Sequence, residues 1–169
     1  MKTKHLTLCG VLCTVSLTIF VMEAQLPQLI PIPGIKLGLA NIVTLFALLY
    51  LNPQESVWIL TSRIILGAWI TGNPATLLYA LSGGLGCLFL EQVLLCRIKG
   101  IPVWVVSVFG AMTHNWIQLL VAALVTQTPE VFWYLPFLLI AGIITGLFTG
   151  LCIFAFDKHF GKKINRFLS

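Results

Sequence analysis

Carboxylates are nearly missing from this chain. Its 169 residues carry five acidic side chains, and the one aspartate is Asp157. Chemistry that holds Mg²⁺ on a diphosphate with clustered carboxylates cannot be assembled here in the usual way. Other catalytic signatures are absent as well: there is no GxxxxGK[ST] phosphate loop, no HExxH and no GxSxG. The five cysteines (Cys9, Cys13, Cys87, Cys96 and Cys152) form no CxxC and no Cys/His spacing suited to zinc. Lying mostly in apolar runs, they read as small packing residues. The expectation is a chain without metal, cofactor or intrinsic enzyme activity. Charge of either sign is scarce, at 9% of residues against 59% hydrophobic, where a soluble domain carries about 25% charged residues. The mean hydropathy is +1.01. The formal charge of +5 sits mostly at segment ends. With no basic stripe interleaved with aromatics, a nucleic-acid partner is not expected.

What is present is long apolar runs. A helix needs about 20 apolar residues to cross a hydrocarbon core of roughly 30 Å. Hydropathy with Gly, Pro and charge punctuation predicts a single all-α transmembrane domain over 1–169, a six-helix bundle with spans near 5–25, 36–52, 55–72, 75–95, 101–126 and 132–156. Runs this long without period-two alternation exclude a barrel. Lys2 and Lys4 before the first run suggest a signal peptide. A small-x-small cleavage site is missing, however, so an uncleaved span is expected. With six spans both termini share a side. That side collects Lys2, Lys4, Arg97, Lys99, Lys158, Lys162, Lys163 and Arg166, against Lys36 alone opposite. The positive-inside rule then places both termini in the cytoplasm. Between spans one and two, residues 26–34 hold three prolines in a mostly apolar loop. Proline stiffens it, and it reads as a lid over the bundle or as a rigid connector resting on the interface.

Against that apolar background, a few polar residues stand out. Arg63 falls near the middle of span three, and His114, Asn115 and Gln118 fall near the middle of span five. An arginine at mid-membrane costs about 2.5–3.5 kcal/mol on insertion scales, so such residues face a partner or a cavity. His114 and Gln118 are spaced i, i+4 and Asn115 and Gln118 i, i+3, which suggests one shared face. Asn41 in span two, with Glu23, Gln25 and Lys36 at the outer ends of spans one and two, completes an expected outward-opening cavity. Guanidinium, ammonium, amides and imidazole suit an anionic or polar-headed small ligand. The alternative is a structural network in which Arg63 pairs with carbonyls, amides or Glu23. His114 alone fits a proton relay, a ligand contact or a bridge between helices. Glu91, near the cytoplasmic end of span four, is expected to snorkel, to pair with Arg97 or Lys99, or to meet a cytoplasmic partner.

Small residues mark packing faces. Gly142, Gly146 and Gly150 form a GxxxGxxxG run in span six, Ser82, Gly83, Gly84 and Gly86 a broader face in span four, and Cys9/Cys13 with Gly10/Thr14 weaker pairs in span one. Such faces let backbones approach closely, either within the bundle or against another membrane subunit.

Several stretches together resemble the Gx transporter family, often labelled heptaprenyl diphosphate synthase component I. They are Glu23-Ala24-Gln25-Leu26-Pro27, Pro31 through Pro33-Gly34-Ile35-Lys36-Leu37-Gly38-Leu39-Ala40-Asn41, Arg63-Ile64-Ile65-Leu66-Gly67, Ser82-Gly83-Gly84, His114-Asn115 through Gln118, Tyr134-Leu135-Pro136 and Gly142 to Gly150. The family is similar in size and span count to the S components of energy-coupling-factor (ECF) transporters. That likeness implies a bacterial plasma-membrane protein binding a vitamin-like or anionic solute beneath the first outer loop. It also implies an energising module, a transmembrane subunit plus ATPases, docking through the Cys9–Thr14 face. Arg63, His114, Asn115, Gln118, Asn41, Lys36 and Glu23 are then the expected substrate-binding residues. Two other readings stay open: an accessory membrane subunit in prenyl diphosphate or quinone synthesis, and a structural subunit of a flavin or electron-transfer complex.

Overall fold

The computed structural model describes residues 3–25, 38–72 and 74–168. These form six α-helices: α1 (Thr3–Ala24), α2 (Asn41–Tyr50), α3 (Pro53–Thr71), α4 (Pro74–Arg97), α5 (Val103–Thr126) and α6 (Leu135–Leu168), with one 3₁₀ segment, Pro129–Tyr134, leading into α6. No strand occurs among the described residues. Four segments are long and apolar enough to cross a membrane: Lys4–Ala24, Leu77–Arg97, Val103–Thr126 and Pro129–Ile164. The architecture fits a multi-pass membrane protein.

Helix boundaries follow local chemistry. Asn52 precedes Pro53, whose missing N–H costs nothing in the first turn, and the Asn52 N–H donates to the Glu55 carboxylate at 3.2 Å. The same carboxylate lies 3.3 Å from His5 Nδ1, which ties the start of α1 to the start of α3. At the far end of α3, Gly72 takes a left-handed φ of +64°, the usual stop.

Two helices depart in length from the predicted spans, and α3, at 19 residues, is not among the segments apolar enough to cross a membrane. α2 has ten residues, about 15 Å of helix and half a hydrocarbon core, rather than a span over 36–52. Residues 36 and 37 of that span lie outside the described residues. α6 runs to 34 residues, about 51 Å, because it continues past 156 through the basic segment.

Packing is tightest between α5 and α6 and between α4 and α5. A Cβ at Gly146 would lie 2.7 Å from Val108 Cα and 2.9 Å from the Ser107 carbonyl oxygen, so the α6 glycine run lies directly on the α5 backbone. On α4, Gly83 faces His114 and Gln118, Gly84 faces Leu60, and Gly86 faces Ile117. The small face of α4 thus seats it between α3 and α5, and α4 and α5 run antiparallel. By contrast α1 buries only a stripe, Ser16, Phe20 and Glu23, at helical spacing. Gly10 has open space beside it and Thr14 is exposed, whereas Cys9 packs against the Ala47, Leu51 and Ile59 cluster, so only the Gly10/Thr14 side of that face is free of the bundle. Contacts from Tyr50 to Asp157 and from His5 to Glu55 bring the start of α1, the end of α2 and the late turns of α6 to one end, here called the terminal end.

Candidate functional site

The polar core grows from α3. Arg63 lies midway along that helix and is 3% exposed. Its Nη2 donates to Asn41 Oδ1 at 2.7 Å, at the first turn of α2. Its guanidinium carbon lies 5.9 Å from the centroid of the Phe20 ring, a cation–π distance. The Glu23 carboxylate acts on the same guanidinium electrostatically and accepts the Gly38 N–H at 2.5 Å. A leucine- and isoleucine-rich cluster, including Phe20, Leu60, Ile64 and Leu88, surrounds this centre. Low polarity around the two charges strengthens their attraction and makes each costly to remove.

Gly38 joins the two halves of the core. A Cβ there would lie 3.0 Å from Asn41 Nδ2 and 3.0 Å from His114 Cδ2, and its φ is +80°. Only glycine takes that backbone without strain and leaves room for both neighbours. Gly38→Ala is expected to cost about 2 kcal/mol and to push α2 away from α5. Thermal unfolding in detergent measures the loss, and a variant as stable as wild type would contradict it.

On α5, His114 and Gln118 do share a face. Their side-chain nitrogens are 2.9 Å apart. With the Gln118 amide donating, His114 carries its proton on Nδ1, the edge that faces Gly83. Asn115 does not join them. Its Nδ2 donates to the Leu138 carbonyl of α6 at 2.8 Å, so it bridges α5 to α6 beside Gly142. Adjacent residues diverge by about 100° around a helix, so the shared face holds for His114 and Gln118 and fails for Asn115. Gln25 lies at the exposed end of α1. Lys36 and the proline loop at 26–34 lie outside the described residues.

The sequence pattern misplaced Glu91. It is 2% exposed, faces inward against Gly110, and pairs with neither Arg97 nor Lys99. It lines a chamber of about 10 Å³ with Gly38, Asn41, Cys87, Ser107, Ala111, Thr145 and Thr149. Neither Arg63 nor His114 lines this chamber. The signal was available in part, since Gly83, Cys87 and Glu91 share one stripe of α4. What hydropathy lacks is the glycine opposite, Gly110, that admits the carboxylate.

A second concavity is apolar. A groove of about 300 Å³ opens between α1, α2 and α6, lined by Leu12, Val15, Ile19, Ile42, Val43, Phe46, Cys152, Ile153 and Phe156. It ends at Phe156, immediately before the exposed Lys158, Lys162 and Lys163 of α6. Among the described residues no group of three His, Cys, Asp or Glu side chains is placed to hold a metal.

Residues 12–156 match the family model described as heptaprenyl diphosphate synthase component I. No curated protein and no solved structure matches the chain.

Proposed function

This chain belongs to the heptaprenyl diphosphate synthase component I family, and from that premise we propose that it is a non-catalytic membrane subunit that holds a prenyl diphosphate for a partner. A family described as a component implies partner subunits. The observation that carries the reading is the groove between α1, α2 and α6, whose nine lining residues are all apolar. An amphiphile with its prenyl tail in the groove places its diphosphate beyond Phe156, against Lys158, Lys162 and Lys163. Lysine binds phosphate as a point charge and needs no fixed fork geometry. The Mg²⁺-dependent chemistry then falls to the partner, because this chain has a single aspartate. The same lysines support a cytoplasmic position for the terminal end by the positive-inside rule.

A photoreactive prenyl diphosphate analogue tests this in lipid nanodiscs. Crosslinks are expected on α1 and α6 at the groove, competed by prenyl diphosphate and reduced about tenfold by the groove-filling change Val15→Trp. Labelling that ignores Val15→Trp, together with unchanged prenyl diphosphate synthesis after deletion of the gene, would sink the reading.

The polar core favours a second reading, a solute-binding subunit of the ECF type with a transmembrane subunit and ATPases as its energising module. α2 is a half-length helix whose first turn meets a buried arginine, and broken helices of this kind line substrate sites in transporters. Uptake of a vitamin-like solute that is lost in Arg63→Ala, with prenyl synthesis intact, would replace the first reading by this one.

A further inference from the structure

The Glu91 chamber lies apart from both the groove and the Arg63 centre, although it shares Gly38 and Asn41 with the latter. Its walls can be audited proton by proton. Thr145 Oγ1 donates to the Ala141 carbonyl at 2.9 Å, and Thr149 Oγ1 donates to the Gly146 carbonyl at 3.1 Å. Ser107 Oγ lies 2.7 Å from Thr149 Oγ1. Because the Thr149 proton is committed, Ser107 is the donor in that pair. Asn41 turns its carbonyl to Arg63 and its amide nitrogen towards Cys87 Sγ, 4.0 Å away. The hydroxyl protons are therefore spent, and what faces the chamber is lone pairs. Glu91 adds more of them: it accepts a hydrogen bond from the Cys87 thiol, but its Oε2 has no hydrogen-bond partner, and no lysine, arginine or histidine among the described residues pairs with it.

A buried carboxylate surrounded by acceptor oxygens requires a positive species. We propose that Glu91, Ser107, Thr145 and Thr149 form a binding site for one Na⁺ ion in the interior of the bundle. Hard oxygen donors, one carboxylate and three hydroxyls, suit such a cation. Size limits it: a chamber of about 10 Å³ holds one water-sized species, too little for an organic solute and ample for Na⁺, which is smaller than water. Charge selects it as well. One carboxylate neutralises one positive charge, whereas a divalent ion would leave an unpaired charge in a low-dielectric interior close to Arg63. A proton on Glu91 supplies one donor and leaves the remaining hydroxyl lone pairs facing each other. One cation satisfies all four groups. Because Asn41 is common to the chamber and the Arg63 centre, Na⁺ binding is coupled to whatever the polar core holds, and the coupling is reciprocal.

The test is unfolding temperature in lipid nanodiscs, in NaCl, KCl and choline chloride at equal ionic strength, with ²²Na⁺ binding measured in parallel. Na⁺ alone is expected to raise the transition in a saturable way, as a ligand that binds only the folded state must, with about one ²²Na⁺ per chain. Glu91→Gln is expected to abolish the Na⁺ increment and the bound isotope. Thr145→Val should raise the half-saturating Na⁺ concentration about tenfold. Identical transitions in the three salts would overturn the site, as would a Na⁺ increment that persists in Glu91→Gln. Should Glu91→Gln fail to fold, Thr145→Val decides: an unshifted midpoint rejects the proposal.

Discussion

Arg63→Ala is expected to lower stability by about 3–5 kcal/mol, the range for stripping one partner from a buried charge pair. The guanidinium is bound to Asn41, lies over Phe20 and faces Glu23. Alanine removes all three interactions at once, and the Asn41 carbonyl and the Glu23 carboxylate remain buried without it. Arg63→Lys should recover part of the loss, since it restores the charge but not the planar group that reaches Asn41 across the Phe20 face. A double change, Arg63→Met with Glu23→Gln, should cost less than Arg63→Ala alone, because neither charge then stays behind. Equilibrium unfolding in detergent measures all three. Stability within about 1 kcal/mol of wild type for Arg63→Ala would mean that the pair contributes little.

A comparable effect is expected where no charge is involved. Gly146→Leu should cost about 3 kcal/mol or abolish folding, at the upper end of overpacking penalties. The atoms that a side chain meets there are the Val108 Cα and the Ser107 carbonyl, and backbone has no rotamer to yield. α5 and α6 would have to separate, which also parts Asn115 from Leu138 and Ser107 from Thr149. Gly10→Leu is the matched control. It adds the same side chain at another helical glycine, but with open space around it, and should change stability by no more than about 0.5 kcal/mol. Thermal melts followed by size exclusion separate the two. Equal losses at Gly10 and Gly146 would show that the α5–α6 contact does not set the penalty, since leucine is a better helix former than glycine at both sites.

Hydropathy reads α3, α4 and α5 closely: spans of 55–72, 75–95 and 101–126 were expected, and Pro53–Thr71, Pro74–Arg97 and Val103–Thr126 are observed. Proline and glycine punctuate those helices, and both leave a mark in sequence. The start of α2 is marked ambiguously: Pro33, Gly34 and Gly38 all offer a break, and Leu39-Ala40 is as apolar as the helix that follows. α6 was cut short for the opposite reason: charge ended the hydropathy signal at 156, yet the helix needs only local hydrogen bonds to continue. In the core, depth was legible and rotation was not. Depth put Arg63 and His114 near mid-span and Asn41 about a turn and a half below the outer end of span two; the Arg63–Asn41 contact and the Gly38 bridge bring the three together. Rotation about each helix axis decides that Asn115 turns to α6 and that Glu91 turns inward, and a single sequence constrains rotation only through faces already known to be buried.

The length of α6 has a mechanical consequence. About 30 Å of its 51 Å suffices to cross a hydrocarbon core, which leaves roughly 20 Å of continuous helix standing beyond it at the terminal end. A rigid rod pivoting in the bundle magnifies small rotations at its tip: a tilt of about 10° about Gly146, roughly 33 Å from Leu168, sweeps that end through about 6 Å. Its pivot is the glycine contact with α5, and its near arm carries Thr145 and Thr149. Movements at the centre of the membrane are thereby reported outside it, at lysines a partner can reach.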